Sequence, residues 1–351
     1  MRPCWRRCFR RSREVTGTSR MSSKPPTRTR SLLRRPRMAP LKKGTHSPEV
    51  NRLRGTSTRP DDDHRQREGH PMQVGCQTLP YSEYPFQRAL EGIKRAGYEH
   101  LCFGIKHAGE ALFAPEMTDD DARALTSQAR EAGLNPMMLM GGCGDVAEAA
   151  GEAKFRRTLE IAAAMGLQYV LTWGPWEYKE WPDVKLEPEV WQQAADAWID
   201  AMARIAPQAA DAGLTIVLKP HTGVTAFGSR MKSALERIGS EAVRGCYDAG
   251  NVAFYEGLDP AEDVKDCAEL VAALCIKDHS GPRANPVFPP IGEGDVDHPK
   301  MLKTLAAAGF DGPLMVERFE GSCVKAEMSA ELIDERARAA RVYLEKTIAR
   351  L

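Results

Sequence analysis

The feature that most constrains this chain is an alternation repeated eight times after residue 71. Short apolar runs occupy 72–77, 100–104, 135–140, 169–173, 215–219, 243–247, 272–277 and 314–317, with longer amphipathic stretches between them. The clearest helical stretches are 86–96, 119–132, 152–165, 189–212, 260–269, 298–308 and 329–351. Helix after helix ends in the same way, at Ala96-Gly97, Ala132-Gly133, Met165-Gly166, Ala212-Gly213 and Ala308-Gly309. Glycine just past a helix takes the left-handed conformation at little steric cost, so it ends the helix and turns the chain toward the next strand. The apolar runs are continuous rather than alternating, as in a parallel sheet covered on both faces. Eight such units in about 280 residues fit an α/β fold of the (β/α)8 TIM-barrel type. A doubly wound open sheet is the alternative.

Composition separates a leader from this body. Residues 1–70 hold 20 basic and 6 acidic groups, a net of +14, and residues 71–351 hold 29 basic and 42 acidic groups, a net of −13. The leader has few large aliphatic residues and no periodicity, so it cannot bury enough apolar area to offset its ordering entropy. A disordered basic segment over 1–70 and one barrel over 71–351 are expected. Three origins fit the leader. It is a targeting peptide, an arm that attracts phosphate, or a mis-assigned start, since Met21, Met38 and Met72 are internal alternatives. No apolar run approaches the ~20 residues that cross a bilayer, so no membrane partner is expected. Nine Cys, an odd number without CxxC spacing, argue against a disulfide scaffold or zinc ribbon and for a reducing, cytoplasmic setting.

In such a barrel, chemistry collects where the strands end. Strand four leads into Trp173, Trp176 and Glu177; strand five into Lys219 and His221; strand six into Asp248 and Asn251. Strand seven leads into Lys277, Asp278 and His279, and strand eight into Glu317 and Glu320. Side chains alternate along a strand, so Lys219 pairs in direction with His221, and Cys275 with Lys277 and His279. Plainer roles compete: Asp248 as a helix cap, Asp278 as a partner of Arg283 or a loop cap, His279 as a loop residue, and Lys219 with Glu317 as a structural ion pair. The aromatic loop of Trp173, Trp176, Tyr178 and Trp181 suits either sugar stacking or a packed lid. The Pro- and Gly-rich loop 280–297 suits a substrate cover. Its Gly-Glu-Gly turn either brings Glu293 to the site or is a surface turn.

The runs YDAGN (247–251), IKDHSG (276–281), GEGDVD (292–297) and AGFDGPLMVERFEG (308–321) give the body a resemblance to the xylose isomerase-like TIM barrels, the sugar phosphate isomerase/epimerase superfamily. That group includes ketose 3-epimerases, hydroxypyruvate isomerases, inosose dehydratases and endonuclease IV. The resemblance implies a divalent ion held by a Glu, an Asp, a His and a Glu on strands five to eight. Those positions fall on Lys219, Asp248, Cys275 and Glu317, so two of the four ligands are replaced. Two repairs are open. In one, His221 and His279 join Asp248 and Glu317 around Mn, Mg, Zn or Co. In the other there is no metal, and the Lys219 ammonium steadies substrate oxygens directly.

The resemblance further implies proton abstraction next to a carbonyl, here of a small carbohydrate, with Glu317 as base and a cation for the oxyanion. Trp176, Glu177, Asn251, Lys277 and Asp278 are the expected substrate contacts. Schiff-base lyase chemistry through Lys219 or Lys277 is a second reading, and a non-catalytic sugar-binding barrel a third. Nucleic acid is not an expected partner, because the body is acidic and holds five His. A homo-oligomer is compatible with the sequence.

Overall fold

The eight apolar runs form eight parallel strands that close on themselves. The computed structural model describes residues 72–142, 146–321 and 328–351. The basic leader 1–70, with Cys143 and Cys323, lies outside the described residues. The strands are β1 (Gln73–Gln77), β2 (His100–Phe103), β3 (Asn135–Met140), β4 (Tyr169–Thr172), β5 (Thr215–Leu218), β6 (Val243–Tyr247), β7 (Val271–Ile276) and β8 (Pro313–Val316). Each pairs with its sequence neighbours, and β1 pairs with β8, Gln73 opposite Pro313 and Cys76 opposite Val316, to shut the barrel. The closure excludes the open doubly wound sheet.

The helices are α1 (Phe86–Arg95), α2 (Asp119–Glu131), α3 (Ala149–Ala164), α4 (Pro188–Asp211), α5 (Gly228–Ile238), α6 (Pro260–Asp263), α7 (His298–Ala307) and α8 (Ala330–Ile348). Local chemistry sets their ends. Thr118 and Asp121 form a reciprocal capping box that starts α2, and the Ser329 side chain accepts from Leu332 to start α8. The five expected terminator glycines all have φ between 66° and 90°.

Two stretches depart from the sequence reading. Helix α5 does not stand out in its polar sequence, yet Met231, Ala234, Leu235 and Ile238, at helical spacing, bury its inner face. The expected helix 260–269 is only one α-turn, continued by 3-10 turns at Val264–Asp266 and Ala268–Leu270. Tighter turns rise about 2.0 Å per residue against 1.5 Å, which stretches this short connection directly into β7.

The barrel interior is packed with soft side chains. Cys102, Met138, Met140, Leu171, Val217, Cys246, Ala273, Cys275 and Met315 fill it, and a larger cluster lies between barrel and helices. Sulfur-bearing chains adapt to an irregular lumen, and they leave an apolar floor beneath the strand ends.

The last helix is locked to the first. Asp334 of α8 accepts from Tyr81 Oη at 2.8 Å, from Arg88 at 2.9 and 3.1 Å, and from Arg95 at 2.7 Å. Asp334→Ala would leave two guanidinium groups and a buried phenol without their acceptor, and is expected to cost about 1.5–3 kcal/mol in urea unfolding. A variant within about 0.5 kcal/mol of the parent would contradict a closing role for this latch.

Candidate active site

Four strands deliver four charged side chains to one point. Lys219 follows β5 and remains in register, its backbone N–H donating to Thr172 O at 2.8 Å. Asp248 follows β6, Lys277 follows β7, and Glu317 follows β8, with its N–H on Ile276 O at 2.9 Å. Their exposures are 2%, 0%, 3% and 7%, so bulk water does not screen them. The Lys277 ammonium lies 3.0 Å from Asp248 Oδ2 and 3.1 Å from Glu317 Oε2. The Lys219 ammonium lies 3.2 Å from Asp248 Oδ2 and donates a short hydrogen bond to Glu317 Oε2. One oxygen of each carboxylate is thus shared by both ammonium groups, giving a closed ring of alternating charge.

Neighbours fix the ring. Asp248 Oδ1 accepts from Asn251 N at 2.9 Å, so the helix-cap reading of Asp248 holds for one of its oxygens while the other serves the ring. Asn251 Nδ2 donates to Pro220 O at 2.6 Å, which leaves its Oδ1 to accept from Lys277 at 3.0 Å. Gly250 makes room for the lysine stem: a Cβ there would sit 2.3 Å from Lys277 Cγ. Asp248 Oδ2 touches both ammonium groups without a well-directed hydrogen bond, so its lone pairs keep capacity for a further donor.

The two lysines are not equivalent. Burial alone would push the Lys219 ammonium down, but Glu317 and Asp248 outweigh it and hold its pKa well above the ordinary lysine value. For Lys277 burial wins over the same carboxylates, with Lys219 repelling, and its pKa is lowered. Burial would raise Glu317, but Lys219 and Lys277 overcome it and hold the carboxyl well below the usual range. Lys219 is the fixed cation, Glu317 a weakly basic anion, and Lys277 the group nearest to losing a proton.

Asp248, Cys275 and Glu317 offer ligand atoms within 4.8 Å of one another, the one group among the described residues with metal-ligand geometry. The donor chemistry does not fit a divalent ion while the lysines are charged. Both carboxylates already face two ammonium groups. Cys275 would have to bind as a thiolate, yet burial pushes its thiol well up, and its sulfur accepts from Gln77 Nε2 at 3.2 Å and from Cys246 at 3.6 Å.

The histidine-repaired ligand set does not assemble. His279 turns into the following loop, where Nε2 donates to Asn285 O at 2.8 Å and the ring packs on Phe288 and Phe254. His221 stacks between Trp173 at 5.1 Å and Tyr255 at 5.5 Å. Burial, then Lys219 and Lys277, push its pKa well down, so the ring is neutral. It lines the site as part of an aromatic wall, with its buried Nδ1 making no hydrogen bond among the described residues.

Two expected substrate contacts are occupied elsewhere. Glu177 is clamped by Lys185 at 2.9 Å and Arg230 at 2.6 Å, which ties the hairpin Tyr178–Glu180/Val184–Lys185 to α5. Asp278 is a loop anchor. Its Oδ1 accepts from His279 and Val296, and its Oδ2 from Gly292 and Gly294, at 2.8–3.2 Å. A Cβ at Gly294 would lie 2.2 Å from Asp278 Oδ1, so only glycine lets the loop close on this carboxylate. Glu293, between those glycines, is exposed on a surface turn.

Trp176 stands in the roof, 6.1 Å from His221 and 5.6 Å from Tyr255. Tyr255 and Gln77 are site residues that the sequence reading missed. Tyr255 rides on a π-helical turn, Val252–Glu256, a geometry frequent at functional sites. Burial pushes its phenol up to about 12, and Lys219, Asp248 and Glu317 all act on it. Gln77, fully buried at the end of β1, reaches Cys275 and keeps Oε1 without a partner. The π-turn lacks a regular apolar period, and a lone glutamine ends many strands.

A family model described as a xylose isomerase-like TIM barrel matches residues 90–343. Among solved structures, a D-psicose 3-epimerase in the presence of D-fructose aligns with a TM-score of 0.62 at 15% identity, over 79% of this chain and 99% of that chain. A D-allulose 3-epimerase from Methylomonas sp., in complex with D-allulose, aligns with a TM-score of 0.61 at 19% identity, over 79% and 98%. A 3-keto-D-glucoside 4-epimerase from E. coli aligns with a TM-score of 0.59 at 17% identity, over 77% and 99%. No curated protein matches the sequence. At these identities the neighbours establish the fold, and the match along the sequence establishes the kinship: the chain belongs to the xylose isomerase-like TIM barrel family.

Proposed function

We propose that this protein is a sugar isomerase or epimerase-like enzyme that moves a proton at the carbon next to a carbonyl of a small carbohydrate, with the Lys219–Asp248–Lys277–Glu317 ring as its electrostatic centre. The observation that carries the reading is the ring itself, with both ammonium groups within 3.2 Å of Asp248 Oδ2 where the strands end. No step passes through a metal ion.

The substrate carbonyl lies against the Lys219 ammonium. Lys277, as the free amine, takes the proton from the neighbouring carbon; the C–H electron pair becomes the new C=C bond, and the carbonyl pair moves to oxygen. The resulting enediolate is held by Lys219, a fixed donor in a water-poor site. Lys277, now an ammonium, returns the proton to the adjacent carbon while the hydroxyl proton of the enediolate passes to the oxygen held by Lys219, which isomerises the sugar; return to the same carbon from the same side restores the starting sugar and reads out only as isotope exchange. Glu317, with two cations on it, is too weak a base for this step and instead sets the basicity of Lys277. Trp173, Trp176, Tyr255 and the neutral His221 ring exclude water and face the sugar's C–H surfaces. The five free thiols among the described residues, all buried, suit a cytoplasmic enzyme.

A second reading rests on the lowered pKa of Lys277. Its nitrogen attacks the carbonyl carbon, water leaves, and the iminium accepts electrons from a breaking C–C bond. Borohydride with a keto sugar separates the two: a stable adduct on Lys277 by mass spectrometry favours the iminium, and an unmodified chain favours proton transfer.

Hydrogen exchange at the α-carbon in D2O, followed by NMR over a panel of ketoses and aldoses, tests the main reading. Lys277→Arg keeps the charge but cannot give up a proton, so exchange is expected to fall about 100-fold or more with the fold retained. Unchanged exchange would remove Lys277 from the proton path. Wild-type exchange is expected to survive exhaustive chelation; loss on chelation with recovery on adding Mn would overturn the ring as the electrostatic centre.

The pH dependence follows from Lys277. Its ammonium is disfavoured by burial, so the free amine forms at lower pH than in an ordinary lysine, and exchange is expected to rise with pH through that lowered pKa. A rate that declines as pH rises from neutrality would contradict this assignment. Gly250→Ala forces the Lys277 stem aside and is expected to lower kcat without removing any charged group; full activity would show that the stem has room to move.

A further inference from the structure

We infer that the substrate is a sugar acid, and that Arg318 receives its carboxylate. This rests on the proposed reading of the site and names the chemical class it takes. Arg318 directly follows Glu317 at the end of β8, and its guanidinium lies over the Phe288 ring with Cζ 4.1 Å from the centroid. Phe288 is buried, packed at 5.3 Å against both His279 and Phe254, so the guanidinium sits at the roof beside the ion ring. Its charge acts on Glu317, Lys277 and Tyr255.

Arg318 nevertheless has no hydrogen bond and no carboxylate partner among the described residues, although it is half-buried. Three other cations of this end are engaged. Arg230 and Lys185 hold Glu177, and Arg283 donates to Tyr255 O, Tyr178 Oη and Pro182 O. Glu320, the nearest acid in sequence, is taken by Arg336 at 2.6 Å. Glu256, on the Tyr255 turn, lies among Arg230 and Arg283. A planar fork of donors held over an aromatic ring, without an acceptor among the described residues, is arranged for a planar anion.

Charge selects the kind of anion. In the resting ring, before Lys277 gives up its proton and with His221 neutral, Lys219, Lys277 and Arg318 oppose Asp248 and Glu317, a surplus of one positive charge. A carboxylate balances it. A phosphate monoester, with a charge of about −1.5 to −2 near neutral pH, overbalances it.

Calorimetry of the full chain with D-glucuronate, D-fructose and D-fructose 6-phosphate tests the inference. Glucuronate is expected to bind about tenfold or more tighter than fructose and tighter than the phosphate ester. Arg318→Gln is expected to erase that preference, and Arg318→Lys, which keeps the charge but loses the fork, to retain only part of it. Equal affinity for glucuronate and fructose, a preference that persists in Arg318→Gln, or tighter binding of the phosphate ester would each overturn the inference. Should Arg318→Gln fail to fold, an Arg318→Lys variant with the full wild-type preference would overturn it as well. The readout is an affinity ratio, so it stands apart from the isotope exchange that tests proton transfer at Lys277.

Discussion

The site depends on a ring of four buried ionisable groups that holds together only with every member in place. Two ammonium groups and two carboxylates, each cation touching both anions, form a neutral unit that tolerates a water-poor barrel mouth. Taking away one member leaves an unpaired charge over an apolar, sulfur-lined floor, a change that costs about 3–5 kcal/mol in comparable buried pairs. The surrounding chain is arranged around this requirement. Gly250 clears space for the Lys277 stem, Asn251 orients its ammonium, and Asp248 spends one oxygen on its own helical turn and the other on the ring.

The ring also accounts for the unequal lysines. Both feel the same carboxylates, yet Lys219 is held charged while Lys277 is pushed toward the free amine. Neighbouring groups driven apart in proton affinity make an acid–base pair of stated roles. In the resemblance that the sequence carries, a metal ion supplies the positive charge at this place. Here Lys219 and Lys277 place two ammonium groups at this point, and burial pushes the neighbouring Cys275 thiol well up.

Much of this is legible in the sequence. Eight apolar runs with glycine-ended helices specify a closed parallel barrel, and such a barrel puts Lys219, Asp248, Lys277 and Glu317 at one end. The weighed ion pair between Lys219 and Glu317 is present. Strand alternation does not continue past the strand ends. After β5, Pro220 interrupts the chain and His221 joins the aromatic wall. After β7, Asp278 gathers four loop amides and His279 is carried to Asn285. Tyr255 and Arg318 were invisible because a π-helical turn and a cation stacked on a loop phenylalanine are tertiary events without a sequence period.

The central claim is that two lysine ammonium groups stand where a divalent ion would. Anomalous diffraction at the manganese edge, from crystals soaked with Mn and a keto sugar, addresses it at the atoms concerned. The account predicts no anomalous peak between Asp248, Cys275 and Glu317, with both lysine nitrogens within hydrogen-bond distance of the two carboxylates. A manganese peak there, with Lys219 and Lys277 swung away, would contradict it.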